Sequence, residues 1–219
     1  MHEFTQDTKV VDVINYKNFG GFGRLILPTR GIDKNLTLKN LDEVLIWYSE
    51  VNPRKLSKRG YNAFALIYRP DAQLACEDLA RAIAFIHEHA AELQIDTKNY
   101  SLWGGFAGAQ MVAWLGSFGT ENFGEKKYPR PVAVIMQYTG LSEVFGNEPP
   151  TYNCVGTHDG IANWRTMDAW IKKIRANSMP AQIEIFDGLR HGFGLGEGTV
   201  AQGWIDHAIN FWIQNTGGI

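Results

Sequence analysis

Three short segments of the chain carry residues whose types and spacing could do chemistry. Trp103-Gly104-Gly105-Phe106-Ala107-Gly108-Ala109-Gln110-Met111 has the frame glycine, any residue, nucleophile, any residue, glycine, placed where a strand turns into a helix. Such a turn forces its central residue into strained backbone angles, and small residues two positions either side let strand and helix approach. Gly104 and Gly108 meet that need, but the central position holds Phe106, which has no nucleophilic atom. Thr157-His158-Asp159-Gly160 then places an acid just after a strand, and Arg190-His191-Gly192-Phe193-Gly194 a histidine just after the next one. An acid beside an imidazole holds it in one tautomer and stabilises its protonated form. That is the machinery for moving a proton to and from a nucleophile.

Other chemistries fit less well. The glycine cluster fails as a dinucleotide fingerprint because Phe106 and Ala109 stand where glycine is needed, and no Gly-Lys-Ser/Thr cradles a phosphate. His87 and His89 are two apart on a predicted helix, about 200° around its axis, so they cannot share a metal, and both are expected to be solvated. Cys76 and Cys154 lack metal-ligand spacing and are read as buried thiols. His158 is read as structural, His207 has no evident partner, and Asp187 belongs to a turn. Most of the seven tryptophans fall at core spacing; Trp164, in a loop-to-helix position after Asp159, is the candidate for a pocket rim. No metal or cofactor is expected.

The elements that must position these residues alternate. Residues 61–68 read as a buried strand ended by Arg69-Pro70, and 74–93 as a helix with Leu79, Ile83 and Ile86 on one face. Strands follow at 101–105, 132–137, 152–156 and 182–186, and helices at 109–115, 161–176 and 204–214. Short apolar strands alternating with longer helical stretches predict an α/β fold with a mostly parallel sheet. Phe106, Asp159 and His191 then share the carboxyl edge of the sheet, where ligands bind in open α/β folds. Before residue 61 the order is not legible: 10–14, 24–27 and 44–48 are strands or helix pieces. No repeat or low-complexity segment is found.

Composition bounds the rest. At 219 residues the chain suits one domain, read as an irregular part over 1–55 and a core over 56–219. With 45% hydrophobic and 20% charged residues it is globular, and a net charge of -2 offers no basic excess for nucleic acid. No apolar run approaches the roughly 20 residues of a membrane span. The N-terminus lacks a secretory signal pattern, so a cytoplasmic location is expected. The oligomeric state is not legible.

The segments 101–109, 156–162 and 188–193, in the order nucleophile, acid, histidine, resemble the three catalytic blocks of bacterial α/β-hydrolases of the acetyl esterase and lipase type. The resemblance spans about residues 56–215. It implies a three-layer sandwich and hydrolysis of a small-molecule carboxylic ester, with Asp159 as the acid, His191 as the base and Phe106 where serine belongs. The Ala107 N–H would be one oxyanion donor. The second donor loop should precede the strand at 61–68, yet 48–56 runs on without a glycine cluster, and Gly20-Gly21-Phe22-Gly23 comes too early in the chain. Family members are usually longer, so the resemblance implies that a strand, its oxyanion loop and most of a helix are missing between about 49 and 56. Efficient serine hydrolysis is then not expected. The turn should either have relaxed around Phe106 or put its ring into the acyl pocket. The alternatives are a non-catalytic small-ligand binding protein and a truncated or engineered inactive copy.

Overall fold

A computed structural model describes residues 61–69, 71–93 and 95–217 and, before them, the backbone of three strands. The order is β1 (Thr8–Asn15), β2 (Arg24–Arg30), β3 (Glu43–Trp47), β4 (Asn62–Ile67), α1 (Ala72–Glu88), α2 (Ala90–Leu93), β5 (Ser101–Gly105), α3 (Ala107–Phe118), a 3-10 turn (Thr120–Phe123), β6 (Ala133–Gln137), β7 (Thr151–Gly156), α4 (Trp164–Ala176), β8 (Ala181–Phe186) and α5 (Trp204–Gln214). The strands form one eight-stranded sheet in the order β1-β2-β4-β3-β5-β6-β7-β8. β1 and β2 are antiparallel and β2 pairs antiparallel with β4; every pairing beyond is parallel.

This corrects one expectation. Among the described residues a strand does stand directly before β4: β3 lies between β4 and β5, pairing Val44 with Ala63 on one side and with Ser101 on the other. The three early segments left open between strand and helix are all strands. The segment in which the oxyanion loop was expected to be missing lies outside the described residues.

Strand alternation sorts the core into two faces. Phe64, Leu66, Leu102, Val134 and Met136 join α1, α3 and α4 on one side. Ala63, Trp103, Ala133, Ile135, Tyr152 and Cys154 meet α5 on the other through Trp204, Ala208 and Trp212. The result is the expected three-layer α/β arrangement. The predicted stripe of α1 is buried, with Leu79, Ile83 and Ile86 each about 1% exposed, and each such side chain contributes about 1.5–3 kcal/mol. Asp71 caps α1 by accepting from the Leu74 N–H at 3.0 Å. Two turns later the buried Asp78 accepts from the Arg69 N–H at 2.9 Å and from its Nε at 3.0 Å, tying the end of β4 to the helix.

The histidines of α1 are not solvated as expected. His89 caps the helix, its Nδ1 donating to the Phe85 carbonyl at 2.9 Å while the two rings stack at 4.0 Å. His87 lies between Tyr100 and Tyr128, ring centroids 5.8 and 5.0 Å away, and burial pushes its pKa down. The unfolded chain therefore takes up this proton first. The stability that neutral His87 supports is complete above the ordinary imidazole value of about 6.5 and is lost as pH falls through the lower folded value. Urea unfolding at pH 7.5 and 5.5 is expected to show a smaller acid loss in His87→Gln than in the unsubstituted chain; an equal loss in both would remove His87 as the cause.

Candidate active site

The turn between β5 and α3 has not relaxed. Phe106 sits at φ 51° and ψ -117° as the residue before the helix, with its N–H donating to the Gln137 carbonyl at 3.1 Å. A non-glycine residue at positive φ costs of order 1–3 kcal/mol and persists where its surroundings over-determine it. The glycine frame is part of that surrounding. A Cβ on Gly104 would lie 2.5 Å from the Gly108 carbonyl carbon and 2.7 Å from the Ala109 nitrogen, so strand and helix meet at a distance only glycine permits. Gly104→Ala is expected to destabilise the protein by about 1–3 kcal/mol. The check is a urea midpoint, and one unchanged from the parent would show that the helix can shift freely.

Nor does the Phe106 ring fill an enclosed pocket. It is 50% exposed and lies edge-on to His191, with centroids 5.1 Å apart and planes at 83°. The buried Tyr138 ring lies 4.5 Å from the imidazole and packs in turn on Phe193 at 5.2 Å. His191 Nδ1 donates to Asp159 Oδ2 at 2.8 Å, and the Asp159 side chain has no exposure. The other oxygen, Oδ1, accepts from the N–H groups of Ile161 at 2.8 Å and Ala162 at 2.7 Å. Three donors thus hold the carboxylate in place. α4 starts at Trp164 rather than at 161, and Asn163 caps it by accepting from the Arg165 N–H at 2.9 Å.

The acid and histidine loops are zipped together along their backbones. His158 N–H donates to the Leu189 carbonyl at 3.0 Å and Thr157 N–H to Phe186 at 2.9 Å. The Thr157 hydroxyl donates to Asp187 at 3.0 Å and accepts from the Gly188 N–H at 2.8 Å. Beyond His191, the Gly194 carbonyl accepts from Gln137 Nε2 at 2.8 Å and from the Trp204 indole at 2.9 Å. Asp187, given no role from sequence, helps set this spacing. Gln137 and Tyr138 were missed entirely, although a glutamine ending an otherwise apolar strand is a signal that a polar contact waits there.

Of the residues singled out from sequence, the structure brings Phe106, Asp159 and His191 together. Ala107 is exposed as the first residue of α3, where a helix N–H has no carbonyl four residues back to bind. Trp164 is partly buried against the cluster of Tyr138, Val155, Ala162 and Met167, with the Arg165 guanidinium 4.3 Å over its ring. It flanks the site through that cluster. Cys76 and Cys154 are free and buried, and burial pushes the Cys76 thiol up to about 12. Among the described residues no three His, Cys, Asp or Glu side chains gather to hold a metal, and no helix is long and apolar enough to cross a membrane.

Comparison with known proteins places this geometry. No curated protein matches the chain. Among solved structures it is similar to MGS-M1, an α/β hydrolase enzyme from a Medee basin deep-sea metagenome library, with TM-score 0.78 and 16% identity over 97% of this chain and 100% of that one. It is similar to esterase 2 of Thermogutta terrifontis, solved phosphorylated by paraoxon, with TM-score 0.74 and 18% identity over 95% and 93% of the two chains. An acetyl ester-xyloside bifunctional hydrolase from Caldicellulosiruptor lactoaceticus gives TM-score 0.74 and 18% identity over 90% and 89%. The fold is that of the α/β hydrolases, and the shortfall in length expected from sequence is not found against MGS-M1. The BD-FAE family model matches residues 46–164, more than half of the chain and through both Phe106 and Asp159, so this protein belongs to the BD-FAE family of α/β-hydrolase-like proteins.

Proposed function

We propose that this protein is a carboxylic ester hydrolase by descent, with its acid and base in place and its serine route disabled at one atom. The observation that carries the reading is the Phe106 turn. It keeps the strained angles of a nucleophile position and presents its side chain to a histidine already bonded to a buried aspartate. With serine at 106, its hydroxyl would attack the ester carbonyl while His191 took the proton and Asp159 stabilised the imidazolium. The Ala107 N–H would bind the developing oxyanion. With phenylalanine at 106 the first step has no attacking atom. Small-molecule esters are the proposed ligands, Trp164 flanks their cleft, and no cofactor takes part. The free, buried cysteines suit a reducing compartment, and we place the protein in the cytoplasm.

Paraoxon tests this reading, because it phosphorylates an activated serine and stays on it. Incubation is expected to leave the unsubstituted chain unlabelled and to add one diethylphosphoryl group at position 106 of Phe106→Ser. That label should disappear when His191→Gln is added. A folded Phe106→Ser that takes no label at position 106, or one whose label survives the added His191→Gln, would overturn the proposal. The second reading, a non-catalytic binding protein for a small ligand, is favoured by the exposed apolar side chains of Phe106 and Ile161. A thermal shift with acetylated sugars and no hydrolysis by any variant would select it.

A further inference from the structure

We infer that the Asp159–His191 pair is itself a nucleophile, and that the chain as it stands hydrolyses aryl esters through an acyl-histidine. This rests on the proposed reading of Asp159 and His191 as an acid–base pair, though not on what once stood at position 106. Nδ1 of His191 carries the proton it donates to Asp159, so the neutral ring keeps its lone pair on Nε2. The carboxylate that fixes this tautomer is wholly buried and itself held by two N–H groups, while the His191 side chain remains 21% exposed. Phe106 and Tyr138 both lie against the imidazole, with ring centroids 5.1 and 4.5 Å away. In a serine hydrolase the lone pair is spent on a hydroxyl proton. Phe106 offers no such proton, so the lone pair is left for a substrate.

The reaction balances with water alone. Nε2 attacks the ester carbonyl carbon, the bond to the aryl oxygen breaks, and the phenolate leaves with its electron pair. The Nδ1 proton moves to Asp159 or stays shared with it, leaving an N-acyl imidazole. Water then adds to the acyl carbon, the carbon–nitrogen bond breaks and the carboxylic acid departs; the second water proton passes to solvent or to the released phenolate, and Nδ1 takes its proton back from Asp159 as the imidazole recovers. The leaving group sets the substrate class. An activated phenolate such as 4-nitrophenolate competes with imidazole as the group expelled, whereas an alkoxide does not, and the adduct of an alkyl ester reverts. Apolar surface suited to an aryl group stands beside the ring in Phe106, 50% exposed, and Ile161, 65% exposed, whose backbone shares the Asp159 carboxylate with His191.

His207 supplies the control. Its Nδ1 also meets a carboxylate, Glu184 at 2.9 Å, but its side chain is 56% exposed and no ring contact brackets it among the described residues. The purified chain is assayed with 4-nitrophenyl acetate and with ethyl acetate, and rapid acid quench followed by mass spectrometry locates any acetyl group. The expected result is nitrophenolate release about 10²-fold above buffer, no action on ethyl acetate, and transient acetylation of His191. His191→Gln should fall to the buffer rate, Asp159→Asn at least tenfold, and His207→Gln should match the parent, each variant being checked by its melting curve. A rate equal to buffer in the unsubstituted chain, a rate that survives His191→Gln in folded protein, or one lost with His207→Gln would overturn the inference. Paraoxon labelling of Phe106→Ser without aryl-ester turnover by the parent would remove this inference and leave the proposed function standing. Turnover that depends on His191, without labelling of Phe106→Ser, would do the reverse.

Discussion

Phe106→Ser is expected to raise kcat/KM for 4-nitrophenyl acetate by about 10³–10⁴-fold over the unsubstituted chain. A complete nucleophile, base and acid set is worth on the order of 10⁶ in kcat, and a missing oxyanion donor removes about 10²–10³ of that. The Ala107 N–H is one donor, and residues 48–60 contain no glycine besides Gly60 from which a second would be expected. The substitution asks little of the fold. The ring it removes is half exposed, and the backbone angles it inherits are already those of the turn. Adding Asp159→Asn to the serine variant should cost about 10⁴ of the gain, since the imidazole would then lose its fixed tautomer. Steady-state rates of the parent, the serine variant and the double variant decide the matter. A serine variant that melts like the parent and is no faster would mean that position 106 is not where a nucleophile reaches the ester. A gain near 10⁶ would mean that a second donor is present after all.

What could be read from sequence follows from how local each signal is. From residue 61 onward the strands and helices were legible because period-two and period-3.6 patterns alternate over lengths that suit each, and β5 and α5 were placed to the residue. β3 was not, because a five-residue apolar run such as Glu43–Trp47 is equally a strand or a piece of buried helix, and only pairing with β4 and β5 decides. Counting strands from an expected family length then turned this ambiguity into a missing element. At the site, Phe106, Asp159 and His191 were legible because each follows a strand at once or after a short turn. Gln137 and Trp204 were not, because they act on Gly194, which lies 57 residues after the first and 10 before the second. His87 escaped for a similar reason: the tyrosines around it come from β5's approach and from the loop before β6, not from its own helix.

Gly156→Ala is expected to separate the acid from the base and lower the melting temperature by several degrees. Gly156 is the last residue of β7, and the loop that carries Asp159 departs from it. An added Cβ would run into the Leu189 carbonyl oxygen and lie 2.5 Å from its carbonyl carbon and 2.9 Å from its Cβ. These atoms are mostly backbone, so they yield only if the loop carrying His191 moves as a unit. That movement would stretch the His158 to Leu189 hydrogen bond, now 3.0 Å, and with it the contact between Asp159 and His191. Overpacking of this kind costs about 1–3 kcal/mol, and in a chain of this size each kilocalorie shifts the melting point by roughly 2–4 °C. Gly116→Ala is the comparison. Its Cβ would meet Val134 Cγ2 at 2.8 Å and Pro149 Cγ at 3.0 Å, side-chain atoms far from the site, so any loss there should leave the pair intact. The low-field proton resonance of the Nδ1–H bridge reads the difference: it should vanish in Gly156→Ala and survive in Gly116→Ala. A Gly156→Ala protein that melts with the parent and keeps the resonance would show that the two loops are spaced by something other than this glycine. If the expected loss is seen, the same substitution in the Phe106→Ser background should abolish most of the gained turnover, because the acid–base pair depends on the closeness of two backbones as much as on the two side chains themselves.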